Sequence, residues 1–369
     1  MSRRLSLFVA LVLASMGCSG LVAAEKIPGL DQSGKPPIKS AGPLAFGPTG
    51  VLFVGDPQGA AIFALGIDAP SQGSADKDVQ LEGVDAKIAG LLGTKSDEIL
   101  VNDVAVQPLS SVVYLSVSRG KGPDAEPAIV KVDDKGSVSL VALDKASYAK
   151  LELKNAPSAE AKDRRGNSLR QEAITDLAFI EGRLFIAGLS NEEFASKLRS
   201  VEFPFASTDL GTSVEIYHGA HGQFETRAPV RTFVPFNIGG EPQLLAAYTC
   251  TPLVRFPVSE LKEGAKLRGT TVAELGNRNR PLDIIAYEKD GKSFLLMANS
   301  ARGVMKVSTE NIEKQEGITT KIDDTAGLGY ETIKDLKGVE HLDKLGNKHA
   351  LLLVRTDAGS LNLKSIALP

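Results

Sequence analysis

The chain has 369 residues, a formal net charge of −3 and no tryptophan. That weak acidity excludes the basic footprint expected of a nucleic-acid binder. The missing tryptophan argues against propeller types whose blades are fastened by tryptophan motifs, and two cysteines, Cys18 and Cys250, cannot supply a disulfide framework.

Residues 1–24 read as a signal peptide. Arg3 and Arg4 give a positive start, residues 5–16 form a short apolar run, and Val22-Ala23-Ala24 supplies small residues ahead of a cut after Ala24. The run is too short to span a bilayer, and no other stretch approaches 18 apolar residues, so no membrane span is expected. The alternative is a lipid anchor at Cys18, but Ser15-Met16-Gly17 lacks the leucine usual three residues before the modified cysteine. Without Arg3 and Arg4 the charge falls from −3 to −5, and Cys250 is left as a lone thiol. The expected location is the periplasm or the extracellular space.

Residues 25–40, rich in Pro, Gly and Lys, read as an exposed lead-in to one domain over residues 41–369. From there a unit recurs: a short β-rich run, a turn, an apolar run, a second polar turn and a third apolar run. It occupies residues 43–67, then 102–132. A third copy starts at residues 175–179 and 183–187, with its third strand expected only at 214–217. The clearest repetition is ungapped, residues 233–256 overlaying 284–307 at an offset of 51, with Phe236 on Tyr287 and Leu244-Leu245 on Leu295-Leu296. A last copy runs from Val339 to Ile366. Helical turns are expected only at residues 85–92, 145–151 and 159–172.

Six copies of a strand–turn–strand unit predict an all-β fold, a six-bladed β-propeller, because a single such sheet cannot bury both of its faces alone. The segment Gly42-Pro-Leu-Ala-Phe-Gly-Pro-Thr-Gly-Val-Leu-Phe-Val-Gly-Asp56 resembles the blades of NHL-repeat and gluconolactonase (regucalcin)-like propellers. The likeness covers single blades of about 25 residues. It implies the fold, and for the gluconolactonase-like relatives a metal on the axis that polarises a lactone or ester carbonyl.

Propeller geometry places the loop before each inner strand and the turn between second and third strands on one face. Asn102, Asp103, Asp176 and Asp283 fall in the first set, with Arg170, Arg278 and Arg280 in the loops leading to them. Cys250 and Asn299 fall in the second. Oxygens of Asp103, Asp176, Asp283 and Asn299 suit a hard divalent cation such as Ca²⁺. The same aspartates can instead tie strands through backbone hydrogen bonds. Arg278 and Arg280 could clamp a carboxylate or phosphate, or Arg280 could pair with Asp283. Cys250 reads as a buried small side chain, a nucleophile or a soft-metal ligand. His218 and His221, in Tyr217-His-Gly-Ala-His-Gly222, resemble a metal pair but are assigned to the opposite face. No Gly-x-Ser-x-Gly, Walker or His-Glu-x-x-His motif is present. The expected function is a binding module whose axial face takes a protein, a glycan or a small molecule. The alternative is a metal-dependent lactonase or esterase built on the aspartate/asparagine ring.

Overall fold

Six largely antiparallel sheets are arranged around one axis, each running from an inner strand near the axis to its outer strands. The computed structural model describes residues 27–68, 78–207, 210–250 and 252–369. The segment expected to be a leader, with Cys18, lies outside them. The inner, second and third strands of blade I are Leu44–Phe46, Val51–Asp56 and Ala61–Gly66, and of blade II Ile99–Val106, Val113–Arg119 and Glu126–Val132. Blade III has Asp176–Ile180, Arg183–Leu189 and Ser196–Glu202; blade IV has Thr232–Ile238, Glu241–Ala247 and Pro252–Pro257. Blade V has Pro281–Lys289, Lys292–Asn299 and Gly303–Ser308; blade VI has Val339–Leu345, His349–Arg355 and Leu361–Ala367. The chain is therefore a six-bladed β-propeller, and the two segments related by 51 residues are blades IV and V.

The second strands show why these sequences stack. Leu295, Leu296, Met297 and Ala298 are all fully buried, as are Ala350, Leu351, Leu352 and Leu353. A strand covered on both faces reads as an unbroken apolar run rather than an alternating one. Each run is buried by the two neighbouring blades, so the core is six wedges between blades and not one central cluster.

The wedges also fix the order of the ring, which differs from the order of the chain. Blade I packs against blades II and III, through Phe63 with Tyr114 and through Phe53 with Leu184. Blade II packs on blade VI, through Leu115 and Val117 with Leu351 and Leu353. Around the axis the order is I, III, IV, V, VI, II. Two excursions make this possible. After blade I, Gln80–Leu81 adds the outermost strand to blade VI before the helix Val84–Leu92 leads into blade II. After blade II, Ala146–Glu152 returns as the fourth strand of blade I, and Gln32–Gly34 pairs outside it.

Three local expectations change. Residues 146–152 are a strand, not a helical turn, whereas a 3-10 turn at Arg170–Glu172 and the helix at 84–92 are present as expected. The lead-in buries Leu30 and donates a strand. The third strand of blade III is Ser196–Glu202, and Thr212–His218 is its fourth.

Candidate functional site

Three inner strands carry a bulge at the same place, between Val101 and Asp103, Pro281 and Asp283, and Val339 and His341. A bulge bends the strand and re-aims the side chain that follows it. Here it turns Asp103, Asp283 and His341, from blades II, V and VI, toward one another. One ligand-type atom from each lies within 4.8 Å of the others. Nδ1 of His341 stands 3.6 Å from Asp103 Oδ1 and 3.7 Å from Asp283 Oδ2, and it has no hydrogen-bond partner among the described residues.

The aspartates are also structural ties. Asp103 accepts from the amides of Leu44 and Val104, both at 2.7 Å. Asp176 accepts from Phe233 and Leu177, both at 2.7 Å. Asp283 accepts from Leu342 at 3.1 Å and Ile284 at 2.8 Å. Each carboxylate thus links its own inner strand to the next blade. Burial, reinforced by the charge of Asp283, raises Asp176 to about 7; burial and Asp343 raise Asp283 to about 8. Burial and the charges of Asp283 and Asp176 also raise Asp103 well above the carboxylate range, while burial lowers His341.

Above this level opens a cavity of about 1590 Å³, lined from all six blades and by the loop at residues 159–172. Among the described residues, seven cationic side chains line it against four carboxylates. This is a positive bowl on a chain of net charge −3. Arg280 is exposed on its wall and, among the described residues, makes no ion pair, contrary to the expected pairing with Asp283. Desolvation at the wall and the charge of Arg231 push its pKa down, with Glu172 acting the other way. Arg231 is held by Glu172 at 2.6 Å and by Thr249 at 3.2 Å. Arg170 is held by the carbonyls of Gln58 and Pro157.

The sequence candidates therefore separate. Asn102, Arg170 and Arg280 line the bowl, and Asp103, Asp176 and Asp283 ring the channel beneath it. Asn299 is not with them: its side chain donates to Asn279 and accepts from the amides of Ala301 and Arg302, which closes a turn. Arg278 is exposed, at a left-handed φ of 59°, outside the bowl. Cys250 is half-buried and also outside it. Arg231 and His341 are not among the sequence candidates. Their only signal is position, each immediately before or early in an inner strand.

No family model matches the chain, and no curated protein does. Solved structures similar to it include a chain of a mitotic checkpoint complex (9% identity, TM-score 0.39, covering 100% of this chain and 99% of that one). Others are a PQQ-bound aldose sugar dehydrogenase from Streptomyces coelicolor (12%, 0.36, 91% and 96%) and a putative glucose dehydrogenase from Thermus thermophilus (12%, 0.36, 91% and 99%). At these values nothing about activity passes from them to this chain.

Proposed function

We propose that the protein is a binding module whose axial bowl takes a small ligand bearing a carboxylate or phosphate. The observation that carries this is the pairing of Arg231 and Arg280 on adjacent blades at the wall of a net-positive cavity, with Arg280 lacking an ion-pair partner among the described residues. Two guanidiniums set just ahead of the inner strands of adjacent blades form a fork for a planar or tetrahedral anion. The ring below supports a module because both oxygens of each aspartate already serve backbone amides.

Calorimetric titration with inorganic phosphate and with succinate tests this. Saturable binding of one equivalent, weakened about tenfold or more by Arg280→Ala, is the expected result, since an ionic hydrogen bond contributes about 1.5–3 kcal/mol. No binding of either anion, or binding indifferent to both Arg280→Ala and Arg231→Ala, would remove the proposal.

A second reading, metal-assisted hydrolysis, has one observation in its favour, the convergence of Asp103, Asp283 and His341. Each carboxylate oxygen keeps a lone pair beyond its amide bond. An imidazole in the set favours a transition metal over the Ca²⁺ expected from oxygen ligands. A cation retained by the wild type and lost on Asp103→Asn with Asp283→Asn would favour this reading.

A further inference from the structure

The fourth strand of blade III ends at the face that carries the axial bowl, and it ends in His218. Sequence pattern alone puts the histidine turn on the opposite face, because it passes over Ser196–Glu202 as the third strand. Counting that strand reverses the direction of Thr212–His218 and brings the turn beside Cys250, at the turn between the second and third strands of blade IV.

The turn is tight. The amides of His221 and Gly222 both bond the His218 carbonyl, at 3.1 and 2.8 Å. This sets the two imidazoles together with ring centroids 3.9 Å apart. Glu225, on the returning strand, takes both rings: Oε2 lies 3.0 Å from Nδ1 of His218, and Oε1 lies 2.5 Å from Nδ1 of His221. With both Nδ1 atoms engaged by one carboxylate, the lone pairs left free are on Nε2. Nε2 of His218 is buried and has no partner among the described residues, in a residue only 3% exposed. A nitrogen from each histidine and Sγ of Cys250 lie within 4.8 Å of one another.

A buried imidazole nitrogen without a partner is costly, and a cation held between the two imidazoles and the sulfur would supply the partner it lacks. Below the turn, Glu274 is 1% exposed; one oxygen accepts from Gly219 at 2.5 Å and the other is buried without a partner among the described residues. The pocket therefore holds two carboxylates and a thiol around two imidazoles.

We propose that His218, His221 and Cys250 form a mononuclear transition-metal site of zinc or copper type, with Glu225 as the carboxylate that orients both histidines. Two imidazoles and a thiolate are the donor set for such borderline-soft ions, and the histidine–carboxylate contact is the outer partner that metal-bound histidines regularly have. His221 is about half exposed, its side chain at 49%, so the metal faces solvent and keeps an open position for water or a small ligand. Binding requires the Cys250 thiol to lose its proton, which passes to buffer.

The test uses the full chain, reduced and freed of metal by chelation, and titrated with Zn²⁺ and with Co²⁺. One equivalent of Zn²⁺ is expected to bind with proton release, and Co²⁺ to give a thiolate-to-metal charge-transfer band. Cys250→Ser should abolish the band and weaken Zn²⁺ binding at least tenfold. Glu225→Gln should keep the band but lower affinity by about 10–100-fold. Should His218→Gln fail to fold, His221→Gln, at an exposed position, carries the same expectation. The proposal is overturned if the reduced wild type binds no Zn²⁺, or if Cys250→Ser and His221→Gln bind it as the wild type does. It is equally overturned if the bound ion is lost on Asp103→Asn with Asp283→Asn but not on Cys250→Ser.

Discussion

Asp343, in the inner strand of blade VI, accepts a hydrogen bond at 2.7 Å from the amide of Val106, in the inner strand of blade II, 237 residues earlier. The bond joins two blades that are distant in sequence and adjacent in space. Asp176 reaches from blade III to IV, Asp283 from V to VI, and Asp103 from II to I. All four ties run in one rotational sense, and they do so only because blade II stands between blades VI and I. Asp343 also accepts from Lys344 at 2.6 Å. Asp343→Ala leaves the buried Val106 amide without a partner, at a cost of about 1–3 kcal/mol. The expected outcome is a lower urea midpoint with an unchanged slope; an unchanged midpoint would show that the ring closes without this bond.

The channel carboxylates give stability a definite pH dependence. Asp176 and Asp283 bind protons more tightly folded, at about 7 and about 8, than at their ordinary value of 3.8. Their contribution is therefore present at low pH and lost as pH rises through the folded values. His341, lowered from 6.5, acts in the opposite direction, but only below that value. Between about pH 6.5 and 8 the carboxylates are the shifted channel groups that dominate. Thermal unfolding should shift downward over this window, and Asp283→Asn should reduce the shift even though it loses an amide contact. A melting temperature that rises across the window contradicts the buried-carboxylate account.

Much of this architecture is legible in the sequence because the inner three strands of most blades obey one local pattern. The outer strands do not. Ser196–Glu202 carries Lys197 and Arg199, which look solvated but are 1% and 0% exposed. Lys197 is satisfied inside by Glu192 at 2.6 Å and Ser213 at 2.9 Å. That disguise hides a strand, and without the strand the His218 turn falls on the wrong face. Ala146–Glu152 mimics helical spacing yet pairs across to blade I, a partner no local pattern encodes. The aspartate ring is visible as repeated acids at strand starts. Arg231 is not, since it lies just ahead of the ungapped overlay, where the same offset would set it against Leu282, and the bulge at Pro281 and Asp283 breaks the register there.

Gly188 holds the loop of residues 170–175 against the second strand of blade III. A Cβ there would collide with the Ala173 carbonyl oxygen and lie 2.5 Å from its carbon. Both are backbone atoms, so neither can rotate away. Ala173 and Ile174 closely precede Asp176, and Glu172 immediately precedes them. Gly188→Ala should cost about 1–3 kcal/mol as an overpacked site. It should also weaken anion binding, because the loop carries the carboxylate that holds Arg231. Chemical denaturation and phosphate titration on the same sample check both. Alanine accommodated without loss would mean that the loop is free to lift from the strand.

Glu172 is the carboxylate paired with an arginine of the proposed anion clamp, at 2.6 Å from Arg231 Nη1. Its charge offsets part of the positive potential that would draw an anion into the bowl. Glu172→Gln keeps an oxygen able to accept from Arg231 and removes the charge. A unit charge several ångströms away in a partly solvated site contributes about 1 kcal/mol. Phosphate affinity should therefore rise about threefold to tenfold, and the gain should shrink as salt is added, because exposed charges are screened over about 10 Å at 0.1 M. Arg231→Ala should do the reverse. If Glu172→Gln weakens phosphate instead, the carboxylate matters by orienting Arg231 rather than by opposing it, and the clamp depends on that ion pair remaining intact.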